Sequence, residues 1–345
     1  MLKTQVTNSK GNHIILNDAE EKQVNFNQKQ INNSTGYEID VTTLTAISKR
    51  IVEQKFFTLA PADYMPLRVG ENPWAADILT YRDFSLSGGF EEGIINTASS
   101  GARLAQADGG VDSVTVPVIS WAKGIEWSLP QLQQAKLAGN WDIVVSKERA
   151  RKKDWDLGIQ KIAFLGSDSN TAVQGLLTQG DVTANTAVIT KTISSMTTSE
   201  FDGFLRAIIN AYRVNSAYTS MPTHFVMPEA DYQGLISYPD STYSLKTKLE
   251  ILTDNFKLIT QNPNFKILPC AYADKANNAA VVGLNKNRYS LYNYDEDSAR
   301  MDIPVDYTNT LQNTVNGFQF QNVGYGQFTG FKAYRPKEML YFDWS

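Results

Sequence analysis

FLGSDSNTAVQGLLTQ, Phe164 to Gln179, closes the clearest helical pattern of the chain. Its two glycines and its hydroxyl residues admit two readings: a phosphate or nucleophile loop, or a junction between structural parts. A phosphate-cradling loop needs G-x-x-x-x-G-K-[ST]. Here Gly166 and Gly175 stand too far apart, and Leu176 occupies the lysine position. A nucleophile elbow needs G-x-S-x-G between a strand and a helix. "GSDSN" has the wrong spacing and follows a helix. Ser167 or Ser169 as nucleophile would also need a base, and neither histidine, His13 or His224, offers itself as one. The junction reading suits every residue. Gly166 ends a helix as its C-terminal glycine. Asp168, Ser169 and Asn170 form a turn. Gly175-Leu176-Leu177 brings the chain back into a core.

The helix before this stretch is "WDIVVSKERARKKDWDLGIQKIAFLG". Trp141, Val145, Glu148, Lys152, Trp155, Ile159, Ile162 and Ala163 recur at steps of three and four, a stripe that is apolar at its ends and polar in its middle. The cation-dense centre, "KERARKKD", reads as a solvated or subunit-facing strip paired with Glu148, Asp154 and Asp156. "LPQLQQAKLAG" suggests an earlier helical turn, with Gly139-Asn140 as a kink.

Upstream, residues 1–36 are rich in Asn, Gln and Lys and read as an extended arm. "YEIDVTTLTAISKRIVEQKFF", from Tyr37, places Leu44, Ile47, Ile51 and Phe56 close to helical spacing. Three prolines then break "LAPADYMPLRVGENPW". "ILTYRDFSLS" and "DSVTVPVISW" read as strands around a long run of glycines and small residues, which cannot build its own core. This is the pattern of a protruding hairpin that rests on something else, such as another subunit.

A second region begins near Gly180. "TTSEFDGFLRAIINAYRVN" is a strong helix. Thr197 and Glu200 make a capping box, and Phe201, Phe204, Leu205, Ile208, Ile209 and Tyr212 form the apolar face. "THFVMP" reads as a buried strand, "EADYQGLISYP" and "SLKTKLEILTDNF" as helices, and "FKILPCAY", "AAVVGLN" and "RYSLYNY" as strands. The tail from Gly317 is strand-rich and aromatic. The order describes an α+β fold.

Bulk composition narrows the function. The 345 residues are 42% apolar and 20% charged, enough for a packed core, and the net charge of −4 argues against a broad nucleic-acid-gripping surface. Cys270 is the single cysteine, so no disulfide framework exists within the chain and the usual zinc sets cannot be assembled. No apolar run approaches a membrane span, and the polar N-terminus lacks the apolar core of a signal peptide. His224 reads as a structural strand residue. Asp295, Glu296 and Asp297 fail the calcium-loop spacing, since Arg300 and Asp306 stand where glycine and glutamate are needed. Glu91 and Glu92 are adjacent and would point to opposite faces of a strand. "GYGQFTG" has no following helix and is a weak dinucleotide signal. No catalytic, cofactor-binding or metal site is expected.

In this order the parts resemble the major capsid proteins of tailed double-stranded DNA phages, the Hong Kong 97-type fold that encapsulin shells share. Three stretches carry the resemblance: the helix leading into Gly166 and Gly175-Leu176-Leu177, "NPWAADILTYRDFSLSGGFEEG" with Pro73 and Trp74, and the closing "RPKEM" with Arg335 and Pro336. It covers Tyr37 to Trp344. It implies an N-terminal arm and helix over 1–60, and an extended loop over 61–127 whose hairpin spans about 80–121. It also implies a peripheral domain with a long spine helix over 128–189, an axial domain over 190–303, and C-terminal strands over 304–345 that return to the peripheral domain.

The resemblance further implies an icosahedral shell of hexamers and pentamers, assembled in the bacterial host cytoplasm around double-stranded DNA. Portal and scaffold or decoration proteins would be its partners. An encapsulin-type compartment is the alternative, and a hydrolase using Ser167 or Ser169 the third reading. Some family members cross-link through a loop lysine. Here no lysine lies between Lys55 and Lys123, and Lys123 is expected at the base of the hairpin, so no cross-link is expected. The segment before Tyr37 is short for a cleaved scaffold and is expected to be retained.

Overall fold

The computed structural model describes residues 5–7, 13–15, 58–86, 108–137, 143–238 and 246–344. The chain divides into two units, Met1–Phe56 and Phe57–Ser345. In the first, β1 (Gln5–Thr7) and β2 (His13–Ile15) pair antiparallel, so the apolar "HII" of the arm is a strand. The helix expected from Tyr37, the small-residue tip of the hairpin and the Gly139-Asn140 kink lie outside the described residues.

The second unit is built on one wall with a core on each face. Its five strands run in the order β7 (Ala184–Asn185), β16 (Met339–Trp344), β10 (Asn287–Tyr292), β8 (His224–Pro228) and β9 (Lys266–Cys270). Side chains alternate along a strand. Thus Phe225, Met227, Tyr289, Leu291, Leu340 and Phe342 enter one core, and Val226, Tyr292, Met339 and Tyr341 enter the other. Coverage of both faces explains why "HFVMP" is buried at every position.

The first of these cores gathers α3 (Thr198–Asn215), which buries the six residues expected from its period and begins with the Thr197–Glu200 capping box. α4 (Glu229–Gly234) and α5 (Lys248–Thr260) follow the sequence reading, and α5 has a second capping box, Thr247 with Glu250. "AAVVGLN" does not form a strand. Lys275–Val282 is a helix, α6, stopped by Gly283 at φ 67°.

The other core holds the C-terminal half of α2 (Ile143–Leu165) with Phe164, Leu176, Leu177, Met301, Phe331 and Tyr341. A three-stranded sheet of β15 (Phe331–Ala333), β11 (Ala299–Ile303) and β3 (Leu67–Val69) borders it. The N-terminal half of α2 lies on another sheet. There β14 (Gln319–Phe328) pairs along ten residues with β6 (Ile119–Ser128), and on its other side with β12 (Val305–Asn309) and β13 (Asn313–Thr314). α1 (Leu129–Leu137) directly follows β6, as "LPQLQQAKLAG" suggested.

Two expectations change, for Arg151 and Lys123. The cation-dense centre of α2 is not all solvated, because Arg151 is 1% exposed. The C-terminal strands divide between sheets. β14 lies with α2, but β16 runs through the five-stranded sheet, where its alternating apolar residues serve both cores. Lys123 is not at the base of the hairpin. It sits inside β6 and pairs with Asp154 of α2.

Candidate assembly surfaces and the junction loop

The stretch 164–179 acts as the cap of α2. Helices end with four carbonyls that lack a partner. Here Gly166 N–H donates to Ile162 O at 2.9 Å, Leu176 N–H to Ala163 O at 2.8 Å, and Leu177 N–H to Phe164 O at 2.9 Å. The Thr178 hydroxyl donates to Leu165 O at 3.0 Å. Gly166 satisfies the first of the four carbonyls, and the returning chain satisfies the other three. Gly166 has φ 79°, the left-handed value that ends helices. The return is tight, and a Cβ on Gly175 would lie 2.5 Å from Leu165 N and from Phe164 O. The turn between is local. Asn170 Oδ1 accepts from Ala172 N–H, and Asn170 O accepts from Val173 N–H.

The candidate nucleophiles have no machinery. Ser167 and Ser169 share a hydroxyl contact at 3.1 Å, and Asp168 is engaged by Lys161 at 2.9 Å. Ser167 lines a cavity of about 630 Å³, whose walls include Val173, Val281, Val282 and Leu284. Arg288 also lines it, but its guanidinium is committed to Asp343, with both bonds at 2.7 Å, and to Leu177 O at 2.6 Å. His224 lies elsewhere, in β8, with its ring stacked on Tyr292 and Tyr294 and its Nδ1 against the Thr223 hydroxyl. Burial, with Lys266 second, pushes its imidazole down to about 4. His13 is in β2 of the first unit. Burial pushes the Cys270 thiol up to about 12, which leaves it inert.

Among the described residues, no group of three or more His, Cys, Asp or Glu could hold a metal. Glu296 is engaged by Arg68 at 3.7 Å, and Asp295 by Arg335 at 3.9 Å. Glu91 and Glu92 lie outside the described residues. The glycines of "GYGQFTG" serve packing: Gly324 and Gly326 of β14 face Arg151 and Trp155 of α2. No described helix is long and apolar enough to cross a membrane.

The chain has surfaces instead. β4 (Asp77–Leu86) and β5 (Asp108–Pro117) pair antiparallel over ten residues into a two-stranded ribbon. Its second strand ends at Pro117, so Trp121 belongs to β6. One face is held by the chain itself, since Ile78 and Val116 are buried and Arg300 donates to the Thr80 hydroxyl at 3.1 Å. The opposite face presents Leu79, Tyr81 and Val111, at 49%, 69% and 67% exposure. A second apolar group stands on the link between β12 and β14, with Leu311, Val315 and Phe318 all exposed. Two-stranded ribbons are marginal alone, and large exposed apolar groups mark contact surfaces.

A family model described as "Major capsid protein" matches residues 93–344. No curated protein matches. Among solved structures, the capsid of Myoviridae phage XM1 aligns at 17% identity and TM-score 0.72, over 90% of this chain and 100% of that one. A Mycobacterium phage Ogopogo chain aligns at 7% identity and TM-score 0.57, over 90% and 100%. The capsid of a native GTA particle aligns at 12% and 0.56, over 91% and 98%. The compartment and hydrolase readings are not favoured by these matches. The chain belongs to the major capsid protein family, a structural shell protein of the Hong Kong 97-type fold and not an enzyme.

Proposed function

We propose that copies of this chain assemble in a bacterial host into the closed icosahedral shell of a tailed phage. Hexamers and pentamers would enclose double-stranded DNA without reading its sequence. The observation that carries this is the β4–β5 ribbon, which is anchored to its own chain on one face and apolar and exposed on the other. It would lie over a neighbouring subunit. The core around α2 would form the peripheral domain, and the core around α3 and α5 the axial domain that meets its copies at the five- and sixfold centres. The net charge of −4 suits a container that holds DNA without seizing it. A portal protein would occupy one vertex, and scaffold or decoration proteins would join during assembly.

Native mass spectrometry of the purified full chain tests this. Masses of five and six copies, or of whole shells, support it. A monomer at every concentration overturns it.

A further inference from the structure

The long helix is joined to its sheet at two interlocking points. Arg151 and Trp155, one turn apart on α2, are both buried. They meet β14 at Gly324 and Gly326, which stand two residues apart and so on one face of the strand. A Cβ at Gly324 would lie 2.7 Å from Arg151 Nε and 2.8 Å from Tyr307 Oη. A Cβ at Gly326 would lie 2.8 and 2.9 Å from Trp155 Cζ3 and Cζ2. Each glycine is a socket for one helix side chain.

The arginine socket is specific. Arg151 Nε donates to Tyr307 Oη at 2.7 Å. Nη1 donates to Asn322 O at 2.8 Å and to Lys123 O at 3.3 Å. Nη2 donates to Asn309 Oδ1 at 3.0 Å and to Asn322 Oδ1 at 2.8 Å. These bonds match all five guanidinium N–H groups. They reach β6, β12 and β14, and every acceptor is neutral. Burying a cation on neutral partners is costly, and an apolar side chain would pack there at lower cost. The guanidinium adds direction, because sliding or tilting α2 would break several of its bonds together.

The joint controls a lever. The C-terminal end of α2 is fixed in the core by its four capped carbonyls. The sheet meets α2 at Arg151 and Trp155, near the helix's middle, and only its Phe328 end joins that core. The end of β14 away from the core leads to Leu311, Val315 and Phe318, the exposed apolar group. The tilt of sheet on helix sets where that group points. We infer that Arg151 in the Gly324 socket and Trp155 in the Gly326 socket form a two-point lock that sets the helix–sheet angle. Through that angle the lock sets the curvature, and so the diameter, of the shell. The inference rests on the assembly reading above.

The test compares full-length Gly326→Ala, Arg151→Lys, the double variant Gly326→Ala/Trp155→Phe, and Gly158→Ala. Gly158 is a control, since a Cβ there meets nothing within 4 Å. Shell diameter is measured by cryo-electron microscopy, and amide exchange of the unassembled chain is measured in parallel. Gly326→Ala and Arg151→Lys are expected to fold but to give shells of shifted diameter or open sheets. Exchange in the N-terminal half of α2 should rise about tenfold or more. The double variant withdraws the ring atoms that the new Cβ would strike and returns the wild-type diameter, and Gly158→Ala keeps it. Wild-type diameters from both single variants, with unchanged exchange, overturn the lock. Should Gly326→Ala fail to fold, Arg151→Lys decides by the same two readouts. A wild-type chain that builds no shell overturns the assembly reading instead, while amide exchange still reads the joint.

Discussion

Leu177 donates its backbone N–H to the carbonyl of Phe164 at 2.9 Å, thirteen residues earlier on the other arm of the junction loop. The bond exists because Gly175 lets two backbones touch. Gly175→Ala would place a methyl group against immovable main chain, and Gly166→Ala would add left-handed strain. Each is expected to cost about 3 kcal/mol in urea melts of the unassembled chain. Losses under about 0.5 kcal/mol, the scale of neutral surface changes, would show that the loop is not the cap of the helix.

His224 sets an acid limit. Its imidazole takes a proton near 6.5 when unfolded and only near 4 when folded, because burial opposes the charge and Lys266 adds to it. Thr223, Tyr292 and Tyr294 also face the ring, and none is anionic. Between these values the unfolded state binds more protons, so stability falls as pH drops through the window. His224→Gln removes this slope. Melts from pH 7 to 5, above the range of ordinary carboxylates, should show wild type losing stability and the variant losing less. Parallel slopes would contradict the assignment.

On the assembly reading proposed above, the outer face of the ribbon serves contact and not folding. Tyr81→Ser with Val111→Ser removes two exposed side chains. The melting temperature of the unassembled chain should stay within about 2 °C, the scale of a surface change. Assembly measured by light scattering should weaken at least about tenfold, the scale of losing an aromatic anchor at an interface. Unchanged assembly would remove the ribbon from the interface.

Covalent chain linkage through the ribbon is not expected. No lysine lies between Lys55 and Lys123, and Lys123, inside β6, is paired with Asp154 of α2. Shells boiled in detergent should run as one band at 38.4 kDa. A ladder of multiples would contradict this.

Much of the fold was legible because periodic signals were strong. The apolar face of α3 and its capping box follow directly from spacing. The ribbon was legible from its flanking strands, although its second strand stops at Pro117 and new pairing with β14 begins at Ile119. "AAVVGLN" misled because a short apolar run carries no period. Its signal was Gly283, the helix stop. Arg151 was hidden because a cation among cations reads as solvated, and only the glycines of β14, far along the chain, make room for it. The split of the C-terminal strands is a matter of long-range pairing, which no local pattern encodes.

The central claim is that this chain closes on itself as a shell. Negative-stain electron micrographs of the purified full-length protein test it most directly. The account predicts uniform hollow particles with icosahedral outlines. A monodisperse small species, with no closed particles under any assembly condition, would contradict it.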